Sequence, residues 1–133
     1  MKARLAVFAL GLLSAASMFA HHSFSAEFDN SKPVALQGTV TKVDWMNPHI
    51  WIYIDVKDDK TGAVASWQCE GGAPNSLTRN GWTKNDLKKG DLISINGTLA
   101  KDASKTCNAS SVKFADGRTV FAGSSNPDAQ PKQ

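Results

Sequence analysis

Hydrophobic and polar residues alternate most regularly between residues 49 and 56. One set of alternate positions is β-branched: Ile50, Ile52, Ile54 and Val56. The other set carries an imidazole, two large aromatic rings and a carboxylate: His49, Trp51, Tyr53 and Asp55. A period of two predicts a strand with one face in a core and the other face outside it. We therefore predict that this is the central strand of a small barrel, with its outward face as a candidate binding surface.

Similar patterns predict strands over residues 34–45, 63–70, 92–99 and 106–114, and a short sixth strand over 119–121. Pro74 favours a short helix over 75–79, between the third and fourth strands. Gly38 suggests a bulge or a sharp coil in the first strand, and Asn96-Gly97 a bulge in the fourth. The predicted fold class is therefore all-β, a five- to six-stranded OB-type barrel with a short helical linker between strands 3 and 4.

The chain begins with the features of a secretory signal peptide. Lys2 and Arg4 precede a short apolar run and a stretch of mostly small residues. Cleavage after Ala20 would leave His21 at the N-terminus, whereas cleavage after Ala16 would place a small residue at the −3 position. The predicted organisation is a signal peptide (1–20), a β-barrel domain with an N-terminal arm (21–122) and a disordered tail (123–133). The predicted location is the periplasm.

Charge and hydropathy narrow the classes of partner. The full chain has 15 basic and 12 acidic residues, and without Lys2 and Arg4 it has 13 basic against 12 acidic. This weak net charge argues against an electrostatic nucleic-acid binder. The apolar run near the N-terminus is shorter than the roughly 20 residues that span a bilayer. The predicted partner is an unknown periplasmic protein or a small ligand, and not a nucleic acid. After signal removal the chain is predicted to have no membrane span.

Two cysteines, Cys69 and Cys107, are present in the chain. An exported protein meets an oxidising compartment, so the sequence predicts a disulfide between them. The alternative is a pair of buried free thiols.

The three histidines suggest a metal site, formed by His21, His22 and His49. If His21 is the N-terminal residue, its amino group and imidazole can chelate Cu(II), and His22 or His49 can supply a third nitrogen. Nitrogen donors in a tetragonal arrangement suit Cu(II). The predicted cofactor is therefore copper. The alternative is a solvated arm with two histidines and a His49 that only hydrogen-bonds the preceding turn.

Aromatic residues offer a second candidate site. Trp51, Tyr53 and Trp67, on strands 2 and 3, could stack on a sugar, a base or a quinone-like ring. The alternative is that these rings pack under the arm, where Phe24 and Phe28 are expected to tuck onto the barrel. The sequence contains no G-x-S-x-G, Walker loop or H-E-x-x-H motif, so we predict a non-enzymatic binding or accessory protein.

Several motifs together resemble an uncharacterised family of small exported proteins from Gram-negative bacteria. They are His21-His22-Ser23-Phe24, Gly38-Thr39-Val40, Trp45-x-Asn47-Pro48-His49, Gly72-x-Pro74-Asn75, Gly81-Trp82, Gly90-Asp91 and Phe121-Ala122-Gly123-Ser124. The resemblance implies an exported protein without an established activity. It favours cleavage after Ala20, because mature members begin at the His-His pair. It also implies that the two cysteines are a local addition to the family pattern.

Overall fold

The computed structural model describes residues 24–123, and strands dominate this region. The elements in chain order are α1 (Phe24–Glu27), β1 (Phe28–Asp44), β2 (Trp51–Lys57), β3 (Val64–Glu70), α2 (Pro74–Arg79), β4 (Leu92–Ala100), β5 (Thr106–Lys113) and β6 (Thr119–Phe121). The all-β prediction is confirmed, with two short helices. The predicted signal peptide lies outside the described residues, as do His21, His22 and residues 124–133.

The strands form one six-stranded sheet that closes into a ring. The order is β3-β2-β1-β4-β5-β6, and every neighbouring pair is antiparallel. A further pairing, which is parallel, joins β3 to β5 and closes the ring. The long β1 pairs with β2 through its C-terminal part and with β4 through its N-terminal part. Cys69 and Cys107 are partners in this parallel pairing and form a disulfide, with their Cα atoms 4.5 Å apart. The predicted disulfide is therefore present.

The core lies inside the ring and follows the predicted alternation of β2. Ile50, Ile52 and Ile54 are fully buried, while Trp51 and Tyr53 are half-buried on the other face. Inward residues of the remaining strands complete the core, among them Leu36, Val40, Ile93, Ile95, Ala109 and Val112. Burial of these apolar side chains supplies the main hydrophobic stabilisation of the sheet.

The bulge in β1 lies at Thr41 and not at Gly38. Val40 pairs with Ile54 and Lys42 pairs with Tyr53, so Thr41 is the extra residue. Beyond the extra residue, the positions that face inward shift by one, so Val40 and Val43 both face the core although they are three residues apart. Gly38 instead permits close packing, because a Cβ there would lie 2.7 Å from the carbonyl oxygen of Asp55.

The irregularity predicted at Asn96-Gly97 is confirmed, although the extra residue belongs to the neighbouring strand. Asn96 pairs with Ser111 and Gly97 pairs with Ala109, which leaves Ser110 of β5 unpaired in the ladder. The Ser110 hydroxyl donates a hydrogen bond to the Asn96 carbonyl. The irregularity is thus a bulge and not a hairpin turn.

The N-terminal arm joins the sheet earlier than the sequence pattern suggested. β1 starts at Phe28, which is buried and pairs with Ala100. The ring of Phe24, in α1, packs against Phe28 with a centroid distance of 5.3 Å. The expectation that these aromatics tuck onto the sheet is therefore confirmed. Within the described residues, no helix is both long enough and apolar enough to cross a membrane.

α2 occupies the predicted place between β3 and β4, with Pro74 in its first turn. After α2, the indole of Trp82 fills the space under the β5–β6 end of the sheet and donates a hydrogen bond to the Phe121 carbonyl. Residues 84–86 form a non-helical turn, in which the Thr83 amide donates to the Asp86 carboxylate.

Candidate functional site

The outward side of β2 and β3 forms a continuous surface with two aromatic rings. Trp51 pairs with Glu70, and Tyr53 pairs with Gln68, so these four side chains leave the sheet on the same side. We call this surface the outer face and define it by these four residues. It lies opposite the buried isoleucines of β2, because successive strand residues point to opposite faces.

Neighbouring strands hold the edges of the outer face in place. Gln68 donates from Nε2 to the Thr106 hydroxyl of β5 at 3.0 Å. Next to this pair, the Ser66 hydroxyl donates to the Asp55 carboxylate at 2.7 Å. These cross-strand hydrogen bonds fix polar side chains beside the Tyr53 ring, so the surface is ordered before any ligand arrives.

A lysine from β1 covers part of Tyr53. Lys42 Nζ lies 5.2 Å from the centroid of the Tyr53 ring and donates to the Asp44 carboxylate at 2.8 Å. The hydrogen bond to Asp44 raises the pKa of Lys42. The Thr41 bulge places Lys42 opposite Tyr53 in the β1–β2 register. The outer face therefore carries a cation beside one ring, while Trp51 lies opposite Asp44.

His49 lies next to the outer face, two residues before the start of β2. Its Nδ1 contacts Oε1 of Glu70, whose side chain is only 10% exposed, while the His49 side chain is 34% exposed. A buried carboxylate against one ring nitrogen orients an imidazole and leaves Nε2 as the nitrogen that can meet an external ligand. This arrangement matches the carboxylate–histidine pairs found around metal ligands and proton-transfer groups.

The backbone around Ile50 explains why His49 reaches Glu70. The Ile50 amide donates to the Gly72 carbonyl at 3.1 Å, and the Gly71 amide donates to the Ile50 carbonyl at 2.9 Å. The Gly72 amide in turn donates to the Ala122 carbonyl. A Cβ at Gly72 would lie 2.5 Å from the carbonyl oxygen of Gly123, so the close approach of these segments requires glycine.

The structure divides the sequence-predicted site residues between two faces. Trp67 pairs with Ile54, faces inward and packs against the core, with Lys105 Nζ 5.5 Å from its ring centroid. It therefore does not share a surface with Trp51 and Tyr53. His21 and His22 lie outside the described residues. Among residues 24–123, no three His, Cys, Asp or Glu side chains come together as a metal-binding group.

Glu70, Gln68 and Lys42 are part of the site although the sequence reasoning did not select them as site residues. The sequence pattern shows how these residues alternate within their own strands. It does not show which side chains they contact, because that depends on the register between β1, β2 and β3. The sequence feature that could have identified Gln68 and Glu70 is the run of alternate polar residues in β3, Ser66, Gln68 and Glu70, which share one face of the strand.

Comparison with protein families gives one match, to a family of unknown function, DUF6152, over residues 10–109. The chain belongs to this family. The matched range includes the outer face, His49 and both cysteines, and it ends before β6. Comparisons with curated proteins and with solved structures give no match. The family membership therefore supports an uncharacterised domain, and its function has to be argued from the site itself.

Proposed function

We propose that this member of the DUF6152 family is a non-enzymatic binding or accessory protein of the periplasm, and that its ring of strands is an OB-type barrel. The pairings run β1-β2-β3-β5-β4-β1, β3 and β5 are parallel, and α2 lies between β3 and β4. OB folds bind their ligands on the face of strands 2 and 3 and on the adjoining loops. This analogy directs attention to the outer face and to the β1–β2 loop.

The observation that carries the binding proposal is the outward pair Trp51 and Tyr53 on β2. Both rings are half-buried, and a flat aromatic ring is a stacking platform. The polar groups beside them are held by cross-strand hydrogen bonds. Such a surface suits a small ligand with a ring, or an aromatic-rich patch of a periplasmic protein.

The charges around the rings favour a ligand of low net charge. Lys42 and Asp44 neutralise each other at one edge, and Asp55 is hydrogen-bonded to Ser66 at another. A single-sign patch of the kind that attracts nucleic acid is not formed by these residues. Sugars and quinone-like rings therefore fit the outer face better than polyanions.

The test is binding of a panel of sugars and short-chain quinones, measured by ligand-observed NMR. We expect a ligand to lose at least about fivefold in affinity in Trp51→Ala, because stacking of a base on an aromatic side chain contributes roughly 1–3 kcal/mol and stacking of another ring is expected to be comparable. Tyr53→Ala should also weaken binding. A matched control is Val64→Ala, which truncates an exposed hydrophobic residue elsewhere on β3. Equal affinity in Trp51→Ala and the control would refute the binding role of the outer face.

A second candidate function is Cu(II) binding by His49 together with His21 or His22. The observation that favours it is the contact of His49 Nδ1 with buried Glu70, which leaves Nε2 for a metal. The residues from His21 to Phe24 span at most about 10 Å when fully extended. The arm is held near Lys101, which donates to the Ser25 carbonyl, so a shared site requires residues 21–23 to reach towards the β1–β2 loop.

Mass spectrometry of the exported protein and a Cu(II) titration test this second function together with the localisation. We expect the chain to be recovered from the periplasm with His21 as its first residue, and Cu(II) binding to weaken in both His21→Ala and His49→Ala. An N-terminus at Ser17, or Cu(II) binding that both variants leave unchanged, would exclude the proposed chelate. The disulfide supports export, because disulfides persist in oxidising compartments.

A further inference from the structure

The loop between β1 and β2 carries a thioether and an imidazole three residues apart, on either side of a bend. Asp44 and Trp51 are the last register pair, which leaves residues 45–50 as the connection. Trp45 and Ile50, next to this pair, both pack into the core. Met46 and His49 follow one step further along the loop, on either side of the bend at Asn47-Pro48, and both are accessible, with exposed fractions of 57% and 34%.

Met46 is an exposed hydrophobic side chain at a position where packing does not require it. Its exposed fraction is 57%, the second-largest among the exposed large hydrophobic residues of the described chain. It is also the only methionine after residue 18. An exposed methionine contributes little hydrophobic stabilisation to the fold. Its thioether sulfur, however, is a soft donor that prefers Cu(I) to harder divalent ions. Ag(I) shares this preference for soft ligands.

His49 supplies the matching second donor. Its Nδ1 is engaged by the carboxylate of Glu70, so Nε2 is the ring nitrogen left for an external ligand. Glu70 is buried at the end of β3 and cannot follow the ring into solvent. A donor oriented in this way by a buried carboxylate loses less freedom on binding a metal.

We propose that Met46 Sδ and His49 Nε2 form a site for a soft monovalent metal ion, Cu(I) or Ag(I), with Glu70 as the positioning residue. The proposal goes beyond the Cu(II) candidate, with which it shares only His49. It requires neither His21, His22 nor a free amino terminus. The site would sit at the rim of the outer face, next to Trp51.

The primary experiment is an NMR titration of the exported, oxidised protein with Ag(I), which needs no reductant. With the N-terminus at residue 17 or later, the chain has at most Met18 and Met46, and with His21 first it has one methionine methyl group. We expect saturable shifts of the Met46 methyl signal and of the His49 ring nitrogens at one equivalent of Ag(I). A Met46 signal that does not move at that ratio overturns the proposal.

Variants assign the donors and separate this site from the Cu(II) candidate. Met46→Leu and His49→Ala should each weaken Ag(I) binding by at least about tenfold, and Glu70→Gln should weaken it less, as expected for a residue that orients a ligand. His21→Ala should leave Ag(I) binding unchanged while it weakens Cu(II) binding. Competition for Cu(I) against bicinchoninate, with ascorbate as a reductant that spares the disulfide, should give the same order.

An internal control uses a second methionine on a distant exposed position. Leu92, at the start of β4, is 52% exposed, so Leu92→Met adds a methyl group that should stay unshifted when Met46 responds. Equal shifts of both methyl groups would indicate non-specific binding and overturn the proposal. Undiminished Ag(I) affinity in Met46→Leu, or its loss in His21→Ala, would do the same. Neither outcome affects stacking of a ligand on Trp51.

Discussion

Cys69 of β3 and Cys107 of β5 are direct register partners in the parallel pairing that closes the ring of strands, and a disulfide joins them. This pairing extends only from Gln68–Thr106 to Glu70–Asn108. Parallel pairing is slightly less stable per residue than antiparallel pairing. The covalent bond therefore lies where the ring has a short, non-local connection, and next to Glu70 of the candidate metal site.

Removing the disulfide should destabilise the fold substantially. The bond spans 38 residues, and the chain-entropy model gives roughly 3–4 kcal/mol for a loop of this length. We expect the double variant Cys69→Ala/Cys107→Ala to lose about this much free energy of unfolding in urea titrations. Wild-type protein that is reduced while unfolded and refolded in reductant is the matched control. A loss below about 1 kcal/mol in both samples would contradict the prediction.

Gly97 should tolerate no side chain. A Cβ there would overlap the carbonyl oxygen of Asn108 and lie 3.3 Å from Cα of Ala109, so one of the two backbones must move. We expect Gly97→Ala to cost about 2–3 kcal/mol in unfolding free energy. Gly81→Ala is the comparison, since Gly81 has a φ of +92° but open space around it, and it should cost about 1 kcal/mol. Equal costs at the two positions would show that backbone conformation outweighs the overlap.

Periodicity predicted the strands because inward and outward residues of a half-buried strand have different chemistry. Periodicity did not place the β1 bulge. Val40 and Val43 are three residues apart, and in a regular strand an odd spacing would put them on opposite faces, so their shared inward face is the sign of the bulge. Gly38 drew the prediction instead, because glycine in a strand indicates either a bulge or a close approach, and only the packed structure distinguishes the two.

The candidate site was predictable only as far as single strands allow. The alternation in β2 was sufficient to place Trp51 and Tyr53 outward. For β3, the pattern placed Trp67 and Cys69 on one face but did not tell which face was inward; pairing of Trp67 with Ile54 decides it. The contact between His49 and Glu70 depends on the β2–β3 register and on the backbone at Gly71 and Gly72, which a single sequence does not specify.

The loop between β2 and β3 should make the stability of the protein sensitive to acid through Asp58. Backbone hydrogen bonds from the Thr61 amide, then from the Lys60 amide, hold the pKa of this carboxyl below its ordinary value of 3.8. A lowered folded-state pKa gives stability that is complete above the unfolded-state pKa and is lost as the pH falls through the folded-state value. We therefore expect the stability difference between wild type and Asp58→Ala to shrink as the pH falls below 3.8.

Urea titrations of both proteins over a pH series measure this difference. Asp59→Ala removes the same charge one residue further along the loop and serves as the control for general charge effects. The gap between wild type and Asp58→Ala should narrow towards low pH more than the gap for Asp59→Ala. A gap that stays constant across the acid range, or that widens, would contradict the role of the Asp58 carboxylate.

Trp82 should anchor the last strand of the sheet. Its indole is fully buried, lies 5.3 Å from Phe114 in an edge-on contact, and donates from Nε1 to the Phe121 carbonyl at 2.8 Å. Trp82→Phe keeps a ring but removes the donor, so the buried side of β6 loses a hydrogen bond. We expect a loss of about 1–3 kcal/mol in unfolding free energy, together with faster hydrogen exchange of the β6 amides. Trp51→Phe, on the outer face, should change stability by less than about 0.5 kcal/mol. If the two variants were equally stable, β6 would be held by its pairing with β5 alone.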